Sequence, residues 1–329
     1  MKKNQSKVIL FSILLIGFCF IFMTCRKSTP LPEKAANQKK LVFIAGPGSH
    51  GYGLHEHNAG CRLLADYLNE NVPGILAVVQ TNGWPSDPAI LDEADGIVIY
   101  CDGGKEHPME GHFAEIDRLA QKGVGIAWLH FSLIVEDQEK SNFLLKWIGG
   151  YFETNWSVNP FWEPNFETFP AHPITRGVKP FKILDEWYFN MRFVEDMKGV
   201  TPLLTAIPPK RAFEQEEGPY SGNPHVRQQV GMPAHMAWAY ERPDGGRGFG
   251  FTGGHAHWNW AHNEYRKFIL NALTWIAGAD VPADGVTSRE PTLEELAAGA
   301  DEPQPDSWGE KDIRKWIEKW NRPVSSSGK

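Results

Sequence analysis

The sequence predicts an α/β fold in which helices flank a parallel sheet and an aromatic-rich insertion is added. Short apolar runs typical of buried strands alternate with segments whose apolar residues recur at helical spacing. This alternation indicates right-handed crossovers and a parallel sheet covered on both faces. The 329 residues are 42% hydrophobic, which is enough for one large core without disulfides. We therefore expect a single main domain, with ligands at the carboxyl ends of its strands.

The first part of this domain supplies four predicted strands and two predicted helices. The strands are expected at residues 41–45, 75–79, 96–100 and 124–129, and the helices at residues 59–68 and 108–121. The first strand breaks into Gly46-Pro47-Gly48, which is typical of a loop at the ligand-binding edge of a sheet.

The second part of the chain is less regular before it returns to strands and a helix. Residues 133–233 are rich in Trp, Phe, Pro and Asn, contain one amphipathic piece at 142–148, and are expected to form an insertion that covers the site. Residues 235–240 and 248–252 predict a β-hairpin, and 263–276 predict a helix. The main domain is expected to span residues 41–280, with short helices at 292–298 and 310–320 in a C-terminal extension, residues 281–329.

The N-terminus has the pattern of an export signal. A short basic start precedes an apolar run at 8–23 that ends at Thr24-Cys25, and polar residues 26–40 are typical of a linker. We predict that residues 1–25 are a signal peptide and that Cys25 is lipidated; a retained membrane-spanning anchor is the alternative. Both interpretations place the domain outside the cytoplasm, in the periplasm or at the cell surface. Cys61 and Cys101 are expected to be buried free thiols.

The charge balance disfavours a nucleic-acid partner. The 33 Lys and Arg residues are outnumbered by 40 Asp and Glu residues, and the sequence shows no basic stripe. We expect a small neutral or weakly charged ligand, contact with a membrane only through the N-terminal anchor, and no nucleotide cofactor. A homo-oligomer is compatible with the sequence.

Seven motifs in a fixed order resemble one known family. The motifs are A-G-P-G-S-H-G-Y-G-L-H-E-H at 45–57, N-G-W-P-S-D at 82–87, Y-C-D-G-G at 100–104, G-I-A-W-L-H at 125–130, H-P-I-T-R-G at 172–177, D-E-W-Y at 185–188 and G-R-G-F-G-F-T-G-G-H-A-H-W-N-W at 246–260. Together, from about residue 41 to 286, they resemble the ThuA-like (trehalose utilisation) family. The resemblance implies a flavodoxin-like sheet of the class I glutamine amidotransferase-like superfamily, and a role in processing carbohydrates, through cleavage or isomerisation of 3-keto-glycosides.

The resemblance also indicates where the chemistry differs from that of the amidotransferases. At the turn where those enzymes carry a nucleophilic cysteine, this chain has His130, and a histidine cannot form the thioester that glutamine hydrolysis requires. Glutaminase activity is therefore not expected. His255 lies where those enzymes keep the histidine partner of the cysteine, so we expect His130 and His255 to face each other as catalytic residues or metal ligands.

Two further groups of residues could take part in the chemistry. The loop after the first strand carries His50 and His55, which match the family motif and could bind a divalent metal (Zn, Mn, Ni or Co) together with His130 and His255. Asp185 and Glu186 could divide acid and base work or orient His130; alternatively, they could cap a turn.

An aromatic and amide-rich rim is expected to bind the substrate. Sugars stack their CH faces on indole rings while amide and guanidinium groups hydrogen-bond their hydroxyls. Each of these residues could instead serve packing or a structural ion pair. The candidates are Trp84, Asn155, Trp156, Arg192, Arg227, Arg247, His257 and Trp258.

The leading functional hypothesis is an exported enzyme that removes the proton beside the carbonyl of a keto-sugar. A base such as His130 or Glu186 would take the proton, and a metal held by histidines would polarise the carbonyl. One alternative is a carbohydrate-binding envelope lipoprotein without catalysis. Another is a hydrolase that attacks an amide or ester with water.

Overall fold

The computed structural model describes residues 34–320. The predicted signal peptide, the candidate lipidated Cys25 and linker residues 26–33 lie outside these described residues. Among the helices of the described range, none combines the length and the apolar character needed to span a bilayer.

The described chain forms strands β1–β13 and helices α1–α7. The strands are β1 Lys39–Ala45, β2 Ile75–Gln80, β3 Ala94–Tyr100, β4 Gly125–Leu129, β5 Gly150–Tyr151, β6 Phe161–Trp162, β7 Asn165–Phe166, β8 Phe181–Lys182, β9 Asp185–Glu186, β10 Arg192–Phe193, β11 Val200–Ala206, β12 Ala234–Glu241 and β13 Arg247–Phe251. The helices are α1 His57–Asn71, α2 Phe113–Gln121, α3 Gln138–Ile148, α4 Pro224–Arg227, α5 Asn263–Ile276, α6 Leu293–Ala297 and α7 Glu310–Trp320.

Seven strands form the central sheet, in the order β11-β12-β13-β4-β3-β1-β2. β2, β1, β3, β4 and β13 are parallel, while β12 runs antiparallel to both of its neighbours. The central strands are continuous apolar runs because helices cover both faces; every residue of β4, for example, is buried. The predicted α/β fold with a mostly parallel sheet is therefore confirmed.

Most predicted elements are found near their expected bounds. The four strands, the hairpin β12–β13 and helix α5 are all present. Helix α2, however, begins at Phe113 instead of residue 108. Residues 108–112 form turns instead, and the ring of His107 accepts a hydrogen bond from the Met109 amide at 3.1 Å.

The region expected to be an insertion contributes to the central sheet. β11 lies within residues 133–233 and forms the edge strand beside β12, with Leu203 and Leu204 buried. Pro202 is tolerated because an edge strand leaves backbone positions unpaired. The remaining part of the region folds into α3, α4 and two-residue strands, of which β6 pairs with β9 next to the site described below.

The core consists of one apolar cluster on each face of the sheet. The C-terminal residues Val281, Val286, Leu296 and Ile313 are buried in the same cluster as α1 and α5. Cys61 and Cys101 are buried free thiols, as expected, and burial raises the pKa of both.

Candidate metal centre

Three histidines and one glutamate meet at the carboxyl edge of the sheet. His130 follows β4 directly, His55 lies in the loop after β1, and His255 lies in the loop after β13. The carboxyl ends of parallel strands share one edge, so loops that are far apart in the sequence come together there. Glu186 reaches the same point from β9, where it pairs with Phe161 of β6.

The donor atoms of the four side chains lie within 4.8 Å of one another. His55 Nε2 is 3.1 Å from His130 Nε2 and 2.8 Å from His255 Nδ1. Glu186 Oε2 is 3.5 Å from His130 Nε2 and 3.3 Å from His255 Nδ1. The three imidazoles are buried, and the Glu186 side chain is 13% exposed.

Hydrogen bonds outside the cluster fix the tautomers of two histidines. His130 Nδ1 lies 2.8 Å from the Thr252 carbonyl oxygen, which can only accept, so Nδ1 carries the proton and Nε2 keeps its lone pair. His55 Nδ1 lies 2.8 Å from Asp102 Oδ1, so its Nε2 also keeps a lone pair. These two lone pairs face each other, and no hydrogen bond can join them. With the proton of His255 on Nε2, three nitrogen lone pairs and a carboxylate oxygen point to one centre.

This arrangement fits a divalent metal ion. Tetrahedral zinc with ligand distances of 2.0–2.1 Å requires donors about 3.3 Å apart. Four of the six separations between donor atoms range from 2.8 to 3.5 Å, and all six lie within 4.8 Å. Imidazole together with carboxylate is a donor set that suits Zn, Mn, Ni and Co. A metal bound at this point would have His55, His130, Glu186 and His255 as its ligands.

Of the four ligands predicted from the sequence, three lie in this cluster together with Glu186, while His50 belongs with His55 and Asp102 to a second group of donor atoms that could hold a metal. His50 has a positive φ of 68°, and its exposed ring lies outside the four-residue cluster. Its ring centroid is 3.9 Å from that of His55, and its Nδ1 is 2.6 Å from Ser49 Oγ.

The electrostatic environment keeps the His55 and His130 imidazoles in the neutral form that can bind a metal. Burial lowers the pKa of His55 to about 3, and the hydrogen bond to Asp102 only partly opposes this. Burial, together with the neighbouring His55 and His255, holds the pKa of His130 well below its usual range. Burial alone would raise the pKa of Asp102, but the hydrogen bonds from His55 and Ser49 and the nearby His57 outweigh it and lower the pKa.

Asp102 and Asn159 orient two residues of the cluster, and Tyr188 lies beside a third; none of them was identified as a site residue from the sequence. Asp102 orients His55, and the Asn159 amide donates to Glu186 Oε1 at 3.0 Å, which leaves Oε2 for the cluster. The Tyr188 hydroxyl lies 3.2 Å from His130 Nε2. Asp102 follows the end of β3 by two residues, so its position at the carboxyl edge was the signal that could have identified it.

Asp185 faces away from the cluster. Successive residues of a strand point to opposite faces, so Glu186 and Asp185 cannot both reach the same site. The buried carboxylate of Asp185 accepts hydrogen bonds from the Gly254 amide at 2.9 Å, the Ala256 amide at 3.2 Å and the Tyr265 hydroxyl at 2.8 Å. The geometry therefore contradicts an acid/base pair and makes Asp185 an anchor for the loop that carries His255.

The three candidate arginine clamps have other partners. Arg192 pairs with Glu153 and stacks 3.4 Å above the Trp156 ring, and Arg227 pairs with Glu217 at the surface. Arg247 opens β13 at its amino end, on the edge of the sheet opposite the cluster. These contacts favour structural ion pairs for the first two and rule out Arg247 as a clamp at the carboxyl edge.

The remaining rim candidates divide between accessible and buried positions. Asn155 is exposed, and Trp84 is half-buried and stacks on His112 with ring centroids 4.5 Å apart. His257 and Trp258 are only 1% and 2% exposed, so they serve packing instead of contacting substrate. Phe161, by contrast, is 48% exposed, and its ring centroid lies 4.9 Å from that of His255.

The fold and the site together define an α/β protein with a histidine-rich, metal-type donor cluster at the carboxyl edge of its sheet. The sequence model of the ThuA family, described as trehalose utilisation, matches residues 43–276, and the chain belongs to this family. The resemblance inferred from the motifs is thereby confirmed. A search of curated proteins gives no match.

Solved structures similar to this chain include two ThuA-like proteins and a glutamine amidotransferase, and the first of them shares its fold. A protein described as ThuA-like from Bacteroides uniformis is 15% identical, with a TM-score of 0.50 over 77% of this chain and 96% of that one. Another from Parabacteroides merdae is also 15% identical, with a TM-score of 0.46 over 79% and 98% of the two chains. A glutamine amidotransferase from Thermotoga maritima is 11% identical, with a TM-score of 0.37 over 67% and 76%.

Proposed function

We propose that this protein is a metal-dependent enzyme that acts on a glycoside carrying a ketone at C3. The proposal rests on the convergence of His55, His130, Glu186 and His255. Hydrogen bonds to Asp102 and to the Thr252 carbonyl fix the ring nitrogens so that the lone pairs of His55 Nε2 and His130 Nε2 face each other, and two lone pairs cannot form a hydrogen bond. A divalent cation held by these residues would polarise the substrate carbonyl.

Family membership supports a carbohydrate as substrate, since the family is described by trehalose utilisation. The exposed face of Phe161 beside His255 supports the same choice, because aromatic rings bind the CH faces of sugars. The N-terminal export pattern further supports a location outside the cytoplasm, where the protein would meet extracellular glycosides.

The base in this proposal is His50, because His130 and Glu186 are occupied as ligands. His50 is exposed beside His55, and Ser49 Oγ can donate to Asp102 Oδ1 at 2.9 Å while accepting from His50 Nδ1. In that arrangement His50 Nε2 has a free lone pair that faces away from Ser49.

The reaction that fits these residues is an elimination. The C2 proton, acidified by the neighbouring C3 ketone, passes to His50 Nε2, and the C2–H electron pair forms a C1=C2 double bond as the C1–O bond breaks. The alcohol leaves with the proton returned by the His50 imidazolium. Addition of water to the double bond then completes the cleavage.

Elemental analysis of purified variants tests the metal centre. We expect about one divalent metal per chain in the wild type and in His225→Ala, whose exposed ring packs on Trp156 away from the cluster. We expect loss of metal in His130→Ala and His255→Ala. Protein that stays free of metal after reconstitution with Zn²⁺, Mn²⁺, Ni²⁺ and Co²⁺ would refute the metal centre.

Turnover of a 3-keto-glycoside tests the chemistry separately. We expect His50→Ala to keep its metal and to lose turnover by about 10²–10⁴-fold, the usual contribution of a general base. Binding of the sugar without turnover by the metal-loaded wild type would instead indicate a binding protein. Cleavage of amides or esters with keto-glycosides left intact would indicate the hydrolase alternative.

A further inference from the structure

The loops that carry His55 and His255 are joined by their backbones. The His55 amide donates to the His255 carbonyl at 3.0 Å, and the His257 amide donates to the Gly53 carbonyl at 2.9 Å. Leu54 and Ala256 thus form an antiparallel bridge between the two loops. A shift of either loop would therefore move both imidazoles.

Residues 296–301 of the C-terminal extension, which we term the C-terminal brace, bind both of these loops. The His257 ring donates from Nε2 to the Leu296 carbonyl at 2.6 Å. The buried carboxylate of Glu56, next to His55, accepts the Gly53 amide at 2.9 Å and also accepts the Asp301 amide. One segment therefore contacts the residue after His55 and the second residue after His255.

The Asp301 side chain also completes the N-terminus of helix α1. The N-cap residue of α1, Glu56, makes no side-chain capping hydrogen bond, and the first turn of the helix carries no acidic residue. Asp301 supplies a capping acceptor and a negative charge from outside the helix. Its carboxylate accepts a hydrogen bond from the Asn58 side chain and lies 3.4 Å from the Asn58 amide. A Cβ on Gly48 would come within 2.3 Å of Asp301 Cβ, so Asp301 also packs against the glycine-rich loop.

We infer that the C-terminal brace positions the metal ligands His55 and His255, and that Asp301 is its key positioning residue. The inference rests on the proposed metal centre, and it extends the functional unit beyond residues 43–276 that match the family. Without the Asp301 side chain, the start of α1 and the loop before it lose their cap, and His55 is held less firmly against Asp102. The affinity for the metal should then fall although no ligand has changed.

Zinc affinity of the full chain tests this inference. The dissociation constant for Zn²⁺ alone would be measured by competition with a chelator for the wild type, Asp301→Ala, Asp301→Asn and Asp306→Ala. Asp306 is exposed in the C-terminal extension but lies outside the brace, so its variant controls for the loss of one acidic residue. The visible spectrum of the Co²⁺-loaded protein reports the ligand geometry independently, and thermal unfolding without metal shows that each variant is folded.

We expect Asp301→Ala to weaken zinc binding about tenfold, the lower end of the range for residues that support metal ligands, and to change the Co²⁺ spectrum. Asp301→Asn should recover most of the affinity, because its amide oxygen still accepts from the Asn58 side chain. Asp306→Ala should match the wild type. Recovery of zinc affinity in Asp301→Asn would separate a loss of positioning from a general loss of stability.

The outcomes distinguish this inference from the function on which it rests. Wild-type affinity and an unchanged Co²⁺ spectrum in Asp301→Ala, with metal lost in His130→Ala, would overturn the inference and leave the metal centre intact. Equal weakening in Asp301→Ala and Asp306→Ala would overturn it as well. A wild type that binds no metal would overturn the proposed centre and this inference together.

Discussion

Asp185 and Glu186 are adjacent carboxylates for which the structure predicts opposite effects on stability and metal binding. Replacing Asp185 with alanine removes the acceptor for three backbone amides, two of them buried and one partly buried, and for one buried tyrosine hydroxyl. Each buried donor left without a partner costs about 1–3 kcal/mol. Water can enter the vacated space and satisfy part of this demand, so we expect a loss of about 3–5 kcal/mol, near the lower end of the usual total stability of 5–15 kcal/mol.

Urea unfolding followed by circular dichroism measures this loss, with a chelator present so that bound metal does not contribute to stability. Glu186→Gln is the matched control, because its side chain faces the open side of the cluster. We expect it to lose metal while its free energy of unfolding stays within about 1 kcal/mol of the wild type. Asp185→Asn, which retains one carbonyl oxygen, should unfold more easily and still bind metal.

Two results would refute this reasoning. If Asp185→Ala unfolds within about 1 kcal/mol of the wild type, the three buried hydrogen bonds do not anchor the loop that carries His255. If folded Asp185→Asn binds metal normally but has lost all turnover while Glu186→Gln has not, the acid/base role expected from the sequence belongs to Asp185 after all.

Three further predictions concern single side chains. Asp102→Asn should weaken zinc binding 10–100-fold, because it releases the His55 ring. The surface variant Asp137→Asn should keep the wild-type affinity, and equal zinc affinities of the two variants would contradict the orienting role of Asp102. Phe161→Ala should raise KM for a glycoside about five- to tenfold at unchanged kcat and metal content, with Phe161→Trp close to the wild type; a fall in kcat alone would count against sugar stacking. Burial lowers the pKa of His107 to about 4, so the unfolded state binds more protons below about pH 6.5, and stability falls as the pH drops. This single group should lower the free energy of unfolding by about 2 kcal/mol between pH 7 and 5. Urea unfolding of the wild type and His107→Gln at both pH values measures the loss, and an equal pH dependence of the two proteins would contradict the prediction.

The fold could be predicted from the sequence because its signals are local. Each buried strand is a short apolar run, and the turn Pro243-Asp244-Gly245-Gly246 marks the β12–β13 hairpin. Strand β11 was missed because its only signal is a short, half-buried edge segment containing Pro202 inside an irregular region. β11 belongs to the sheet because it pairs with β12. The paired residues Thr205 and His235, for example, are 30 positions apart in the chain, so the pairing leaves no pattern in the sequence around β11.

The site was only partly predictable for the same physical reason. His55, His130 and His255 were identified because they follow strands whose carboxyl ends share an edge. The choice between His50 and Glu186 depends on the exposed position of the His50 ring outside the cluster and on the pairing of β9 with β6, which brings Glu186 to it. Neither feature can be read from residue types, since a histidine in a glycine-rich loop is as good a ligand in principle as a glutamate on a strand.

Neighbouring residues take separate roles in two places near the cluster. In β9 the alternation of side chains sends Glu186 to the cluster and Asp185 to the loop behind it. After β13, His257 begins a 3-10 helix, so its ring points to the C-terminal brace while the His255 ring lies in the cluster. One member of each pair therefore contacts the centre while the other fixes the segment that carries its neighbour. A motif that contains both members, such as D-E-W-Y or H-A-H-W, thus encodes a ligand together with its support, and substitution of the supporting residue should lower metal affinity without removing a ligand.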